Sequence, residues 1–220
     1  VDFAVLIREL RRRGIAVMAS AILFLEHHDS QTIHEDIDFA IGLQPDYLQF
    51  MGLGPIPGTP LYEDYAQQGK LPADIPWEEQ HGQDRIWFDH PSFTRAETRQ
   101  VLIDAFLQDY RENGASFMRM LETTLNGLQY TSTHADPRVR LRSSAFLRLA
   151  RQLRVFLAAS FIFARNEATS RKVAELKQRY GELLGPVTPK DRLASLAVTG
   201  LAAWEKLHVR LMGDVRQPPP

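Results

Sequence analysis

The sequence predicts an α/β region followed by an all-α region, and three observations carry that prediction. Residues 3–53 pass twice from helical periodicity to a dense apolar stretch. That order of helix, strand, helix, strand belongs to a βα barrel or to an open parallel sheet. Beyond residue 113 the chain reads as helical throughout. Charge divides along the chain as well. Residues 1–137 hold 10 Lys+Arg against 21 Asp+Glu, a net of −11, whereas residues 138–220 hold 16 against 6, a net of +10. A split this large marks two regions with different surroundings, or two regions that attract each other within one fold. The expected domains are 1–112 and 113–220.

At 220 residues the chain is long enough for one large domain or a domain with an appendage. With 44% hydrophobic and 24% charged residues it is neither disordered nor a disulfide-rich module. It has no cysteine, so it offers no disulfide, no thiolate metal site and no cysteine nucleophile of its own. The start at Val1 carries no signal-peptide pattern. Its longest apolar run, Val155 to Ala164, is about half the roughly 20 residues a spanning helix needs. A start without Met, inside a helical pattern, points to a piece of a longer protein.

Residues 3–13 place Phe3, Leu6, Ile7 and Leu10 at helical spacing, with Gly14 as the stop. Ile15 to Leu25 is apolar without alternation, the pattern of a strand buried on both faces. From Ser30 the helical period returns, with Ile33, Ile37, Ala40 and Ile41 on one face up to Gly42. Tyr47 to Leu53 is a second buried strand. The loop that follows, GPIPGTP, has three prolines and two glycines in seven residues, which forbids regular structure. It lies beyond a strand's C-terminal end, where parallel α/β folds bind ligands. Residues 70–93 read as irregular, with Trp77, Trp87, Phe88 and Pro91 covering a flank. Thr94 and Glu97 form a capping box for a helix to Asn113 that buries Val101, Leu102, Ala105 and Phe106. Asp136-Pro137 opens a long helix to Arg165, a further helix runs from Val173 to Tyr180, and Thr188-Pro189 caps a last one to Leu211. The tail, RQPPP, is loose.

Three stretches carry a family resemblance. LIRELRRRGIAVMASAILFLE resembles the helix and strand that contribute to the adenosylmethionine pocket of radical S-adenosylmethionine (radical SAM) barrels. QTIHEDIDFAIGLQPDYLQFMGLGPIPGTPLYEDYAQQGKL is similar to the last helix and strand of the cobalamin-binding subgroup, with its P-x-P-G-T-x-L-Y loop and G-K/R-L segment. RIWFDHPSFTRAET resembles the segment and capped helix that close that domain. The resemblance covers residues 3–112, and the PIPGTPLYE loop is its most specific part. It implies the C-terminal part of a partial βα (TIM-like) barrel followed by an all-α domain. It also implies a [4Fe-4S] cluster that reductively cleaves S-adenosylmethionine to a radical, with cobalamin in the parent protein delivering a methyl group. The cluster motif C-x3-C-x2-C and the cobalamin motif D-x-H-x-x-G are both absent, so those ligands lie outside this chain. The family's G-x-I-x-G-x-x-E motif falls on Ser20, Ile22, Phe24 and His27; Phe24 stands where a glycine lets backbone approach the adenine. Glu26, one residue early, takes the place of the ribose-binding acid. The resemblance thus assigns Ser20, Ile22, Phe24, Glu26, Gln49, Pro55, Pro57, Gly58 and Thr59 to cofactor binding; no catalytic residue is assigned.

Each assignment has a structural counterpart. The PIPGTP loop also suits a tight turn from strand to helix, and Gln49 a hydrogen bond within the sheet. Glu26, His27, His28 and Asp29 make a polar loop rather than a metal site, since adjacent histidines on a strand point to opposite faces. His81 and His90 read as structural. Arg138, Arg140, Arg142, Arg148, Arg151 and Arg154 precede an apolar run. This basic helix, 138–165, either meets the acidic half of the chain or lies on an anionic membrane. Nucleic acid is a third possible partner for it but not the expected one, because aromatic residues do not interleave the arginines. The expected function is radical modification, chiefly methylation, of an unactivated carbon on a small-molecule, lipid or other hydrophobic substrate. A reductase for the cluster would be the protein partner. The expected location is cytoplasmic, at the inner membrane face. The alternative is a non-catalytic helical interaction or membrane-docking module with a degenerate barrel remnant. A hydrolytic enzyme is the third reading, and it lacks an assembled nucleophile and base.

Overall fold

A computed structural model describes residues 1–73 and 82–213. The chain is α-rich, 64% helical, with two short parallel strands. Trp77, His81 and the RQPPP tail lie outside the described residues. Two compact units form, Met18–Glu112 on the one hand and Val1–Val17 with Asn113–Pro220 on the other.

In the first unit, strand β1 (Met18–Leu23) pairs in parallel with β2 (Tyr47–Gly52), Met18 beside Tyr47 and Leu23 beside Gly52. Helix α2 (Thr32–Gly42) makes the crossover, as a parallel pair requires. Ile33, Ile37, Ala40 and Ile41 are its buried residues, the four that helical spacing selects. The two strands bury one face only. Leu23, Leu48 and Phe50 go into the core with Ala19 and Ala21 packed beside them, while Met18, Ile22 and Tyr47 are exposed. The strands therefore differ from the expected two-sided burial. Composition alone gave no sign of it, because Ala, Met and Ile serve either face. The core is completed by Tyr65 of α3 (Pro60–Gln67), by Ile86 and Phe88, and by Leu102 and Ala105 of α4 (Arg95–Asn113). The expected capping box of α4 is present: Thr94 Oγ1 accepts from Glu97 N at 3.3 Å, and the Glu97 carboxylate accepts from Thr94 N at 2.7 Å. Phe106 keeps an exposed edge yet stacks on Phe50, with ring centroids 5.3 Å apart.

In the second unit, α1 (Phe3–Arg12) packs on α5 (Ser116–Ser132). Periodicity had grouped α1 with the strands, but its arginines attach to the helical unit. Arg11 donates to Thr123 Oγ1 at 3.2 Å and to Glu122 at 3.3 Å, and Arg12 lies over the Tyr130 ring. Gly14 and Gly127 meet there without side chains. A Cβ on Gly127 would lie 2.8 Å from the Gly14 Cα and within 2.7 Å of two carbons of the Phe146 ring. The expected long helix from Asp136 is broken into α6 (Pro137–Arg140), α7 (Ser143–Leu153), a 3-10 turn (Arg154–Phe156) and α8 (Leu157–Ile162). The turn sits where Arg154 goes inward to bond the carbonyls of Gly185 and Pro186. Helix α9 (Glu167–Leu184) is capped by Asn166 and runs longer than its apolar repeat indicated. Val173, Leu176 and Tyr180 from α9 join Leu121 and Leu125 from α5 in the core. Helix α10 (Pro189–Met212) starts in a capping box between Thr188 and Asp191 and packs on the 3-10 turn and α8.

Candidate functional site

The open sheet face in the first unit gathers the sequence candidates from the two strands. Ser20 and Gln49 are register partners, and the Ser20 hydroxyl donates to Gln49 Oε1 at 3.2 Å. Ile22 lies two residues further along the same face, exposed, with Met51 beside it in register. Gln49 is half-buried. The parity that puts Leu48 and Phe50 inside puts Gln49 outside. This face ends at the C-terminal ends of both strands, the ligand-binding edge of parallel sheets.

Phe24 closes β1 in an unusual way. Its φ is 63°, the left-handed region in which a bulky side chain costs about 1–2 kcal/mol. Parity would send residue 24 to the open face with Ser20 and Ile22. The left-handed backbone instead turns the ring into the core beside Leu23, where it is fully buried. There it meets Phe93 edge to face at 5.4 Å and His90 at 6.4 Å. The backbone at this position thus has the conformation glycine favours, and the phenyl ring is withdrawn from the open face.

Glu26 follows on the surface turn. The Tyr65 hydroxyl and the Lys70 ammonium hold its carboxyl below the ordinary range. Of the two, Lys70 forms the direct bond, Nζ to Oε1 at 3.3 Å. Tyr65 Oη is buried without a hydrogen-bond partner of good geometry among the described residues. Burial, then Glu26, pushes the Tyr65 phenol up to about 12. Lys70 also lies over the Tyr65 ring at 4.9 Å. Tyr65 was not a sequence candidate. The signal for it was present in the helical spacing from Leu61 to Tyr65, masked by the prolines just before.

The PIPGTP loop is a turn followed by a cap. Thr59 N donates to Ile56 O at 3.1 Å, and Gly58 between them has φ 83°. Pro57 and Gly58 at the centre give the type II turn that this pair of residues favours. Thr59 then caps α3, its Oγ1 accepting from Tyr62 N at 3.3 Å and donating to Ile56 O at 2.6 Å. Pro60 takes the first helical position. Pro55 is buried, while Pro57 and Gly58 are exposed and a side chain at Gly58 would meet nothing within 4 Å.

The remaining candidates have structural partners. His28 is buried; its Nδ1 accepts from Leu25 N at 3.1 Å and its Nε2 donates to Asp36 at 3.0 Å. Asp29 accepts from the backbone of Gln31 and Thr32 at the start of α2. His90 Nε2 donates to Leu25 O at 3.0 Å, fixing the turn after β1. In the basic segment 138–165, Arg138 pairs with Asp136, Arg140 bonds the carbonyls of His134 and Ala135, and Arg154 is buried. Ala150, Leu157 and Ala159 are buried too, while Leu149, Phe161 and Ile162 of the same segment are exposed.

No family model, curated protein or solved structure matches the chain. The fit to the cofactors expected from the resemblance therefore rests on the residues themselves. For S-adenosylmethionine the fit is good on one side: a hydroxyl, an amide, an apolar side chain and a glycine-like backbone share one open face. For an iron–sulfur cluster it fails, since the chain has no cysteine. Among the described residues no three of His, Cys, Asp and Glu come together as metal ligands. For cobalamin the chain carries no motif of its own.

Proposed function

We propose that this chain is the C-terminal portion of a cobalamin-dependent radical SAM enzyme, in which β1 and β2 are strands of a partial βα barrel. The observation that carries this reading is Phe24. The family's motif has a glycine there, and the residue adopts the left-handed backbone of a glycine although it is a phenylalanine. In this reading the Ser20 hydroxyl and Gln49 amide bond the polar edge of adenosylmethionine, Ile22 packs on its apolar part, and the Phe24 backbone lies against the adenine. Glu26, kept ionised by Tyr65 and Lys70, accepts from a ribose hydroxyl. Pro55, Pro57, Gly58 and Thr59 hold the loop at the ligand edge rigid. The cofactors supply radical and methyl-transfer chemistry when bound, and their cluster and corrin ligands come from outside this chain. The substrate is a lipid or other hydrophobic molecule, the cluster is served by a reductase, and the enzyme works at the inner membrane face with help from the arginines of residues 138–165.

The test is to translate the DNA upstream of the Val1 codon in frame. The proposal expects C-x3-C-x2-C there, and 5′-deoxyadenosine release by the reduced parent enzyme that falls at least tenfold in Gln49→Ala. An initiating Met close to Val1, with no cysteine before it, overturns the reading.

A second reading is a non-catalytic helical interaction or membrane-docking module with a barrel remnant. It is favoured by the missing cysteines and by a 24-residue α10 that has no buried residue.

A further inference from the structure

Helix α10 exposes its most apolar side. At 3.6 residues per turn, Leu193, Leu196, Gly200, Trp204, Leu207 and Leu211 fall on one stripe. Leu196 is 70% and Trp204 64% exposed, and the other leucines of the stripe are exposed as well. The residues turned toward the 3-10 turn and α8 are the smaller and more polar ones: Ser195, Val198, Thr199 and Ala202 are half-buried. A helix packed only for stability would be turned the other way, with its leucines inside.

The margins of the stripe are basic. Arg192 and Arg210 flank it on one side, Lys190 and His208 on the other. The acidic residues of α10 lie off it. Asp191 is used by the capping box with Thr188 and by Arg154 at 3.9 Å, and Glu205 sits beyond Leu201. Residues 138–220 add their surplus of 16 basic over 6 acidic residues. A broad apolar stripe with a tryptophan and a basic rim is the pattern of a helix lying in the headgroup region of an anionic bilayer. Among the described residues no helix is long and apolar enough to cross a membrane, so α10 would lie along the surface over roughly 36 Å. A second copy of the chain fits less well, because pairing α10 with itself brings two basic rims together.

We propose that α10 is an interfacial helix that docks this protein on anionic phospholipid. Leu196, Trp204 and Leu207 enter the acyl boundary, and Arg192, Arg210 and Lys190 meet the phosphates. The proposal does not rest on the reading of the sheet face.

The experiment is co-sedimentation of the full chain with vesicles of equal phosphatidylglycerol and phosphatidylcholine, and with phosphatidylcholine alone, at low salt. Binding is expected to be at least tenfold stronger on the anionic vesicles, with a blue shift of tryptophan emission that Trp204→Phe abolishes. Leu196→Glu with Trp204→Glu should reduce binding more than tenfold. Arg192→Glu with Arg210→Glu should reduce it at least fivefold for each residue changed, and added salt should mimic the arginine pair. All four positions are exposed or at a helix margin, so thermal melting should be unchanged. Equal binding to both vesicle types overturns the proposal. So does binding that survives both double substitutions, or a dimer in light scattering that Leu196→Glu dissociates. If a leucine variant unfolds, the arginine pair and the emission shift decide the matter.

Discussion

The two units solve the problem of burial in different ways. In Met18–Glu112 a pleated pair of strands sets the inside by parity, and aromatic rings fill it: Phe24, Phe50, Tyr65 and Phe88 are all but fully buried. In the helical unit, leucines from α5 and α9 gather around Tyr180, and close approach is bought with glycine at the Gly14–Gly127 crossing. Each unit leaves a face uncovered. The sheet leaves Ser20, Ile22 and Gln49, a mixed face suited to a small polar ligand. The helices leave the α10 stripe, apolar with a cationic rim and suited to a surface. The difference teaches that an exposed face is informative through its chemistry rather than its extent.

The largest effect expected on this contrast is at Phe24. Phe24→Ala removes a fully buried ring and should cost about 3–5 kcal/mol in urea denaturation. Phe24→Gly should cost about 1 kcal/mol less, although it removes more, because glycine adopts φ 63° without penalty. A glycine variant no more stable than the alanine variant would refute the strain at this position. Next comes a pair of glycines, one in each kind of environment. Gly127→Ala forces a methyl against Phe146 and Gly14 and should destabilise by about 1–3 kcal/mol. Gly200→Ala, on the open stripe with nothing within 4 Å, should stabilise by about 0.5–1 kcal/mol. Equal signs from the two would contradict the packing described for α5 and α10.

Smaller effects separate the caps. Thr59→Ala and Thr188→Ala each remove a side-chain acceptor from a helix start, at about 1 kcal/mol apiece by thermal melting. Thr59→Ala should be the more costly, since its hydroxyl also donates to Ile56 O and holds the turn. The smallest effect is a pH dependence. Arg12 and Arg13 bond the Glu9 carboxylate and lower it to about 2. A depressed folded-state value means that the contribution is present above the ordinary carboxylate value of 4.5 and lost as pH falls toward 2. Glu9→Gln should flatten the acid limb of the stability curve by slightly lowering stability above pH 4.5 while leaving it unchanged near pH 2; an unchanged acid limb would show that these bonds are only superficial.

Much of the fold can be read from local pattern. The four buried residues of α2, the capping boxes at Thr94 and Thr188, and the Pro57-Gly58 turn all follow from spacing and side-chain chemistry within four residues. The candidate site is legible only in part. Ser20 and Gln49 are 29 residues apart, and only the parallel register makes them partners. Tyr65 and Lys70 reach Glu26 through α3, which a proline-rich stretch conceals. The broken helix of 136–165 was not legible because its cause is Arg154, whose acceptors at Gly185 and Pro186 lie more than thirty residues on.

The sequence by itself determined where α1, α2, α4, α6 and α10 start, which residues of α2 face the core, and that no thiolate chemistry can arise within the chain. Those properties depend on backbone capping, helical period and composition, all of which act over short range. Tertiary structure alone decided which face of β1 is buried, that Phe24 turns inward, that α1 packs on α5, and that α10 carries its leucines outward. Each of these depends on what lies on the other side of an element. An apolar residue has the same local preference whether a neighbour covers it or not, so periodicity names the stripe and only packing chooses the side.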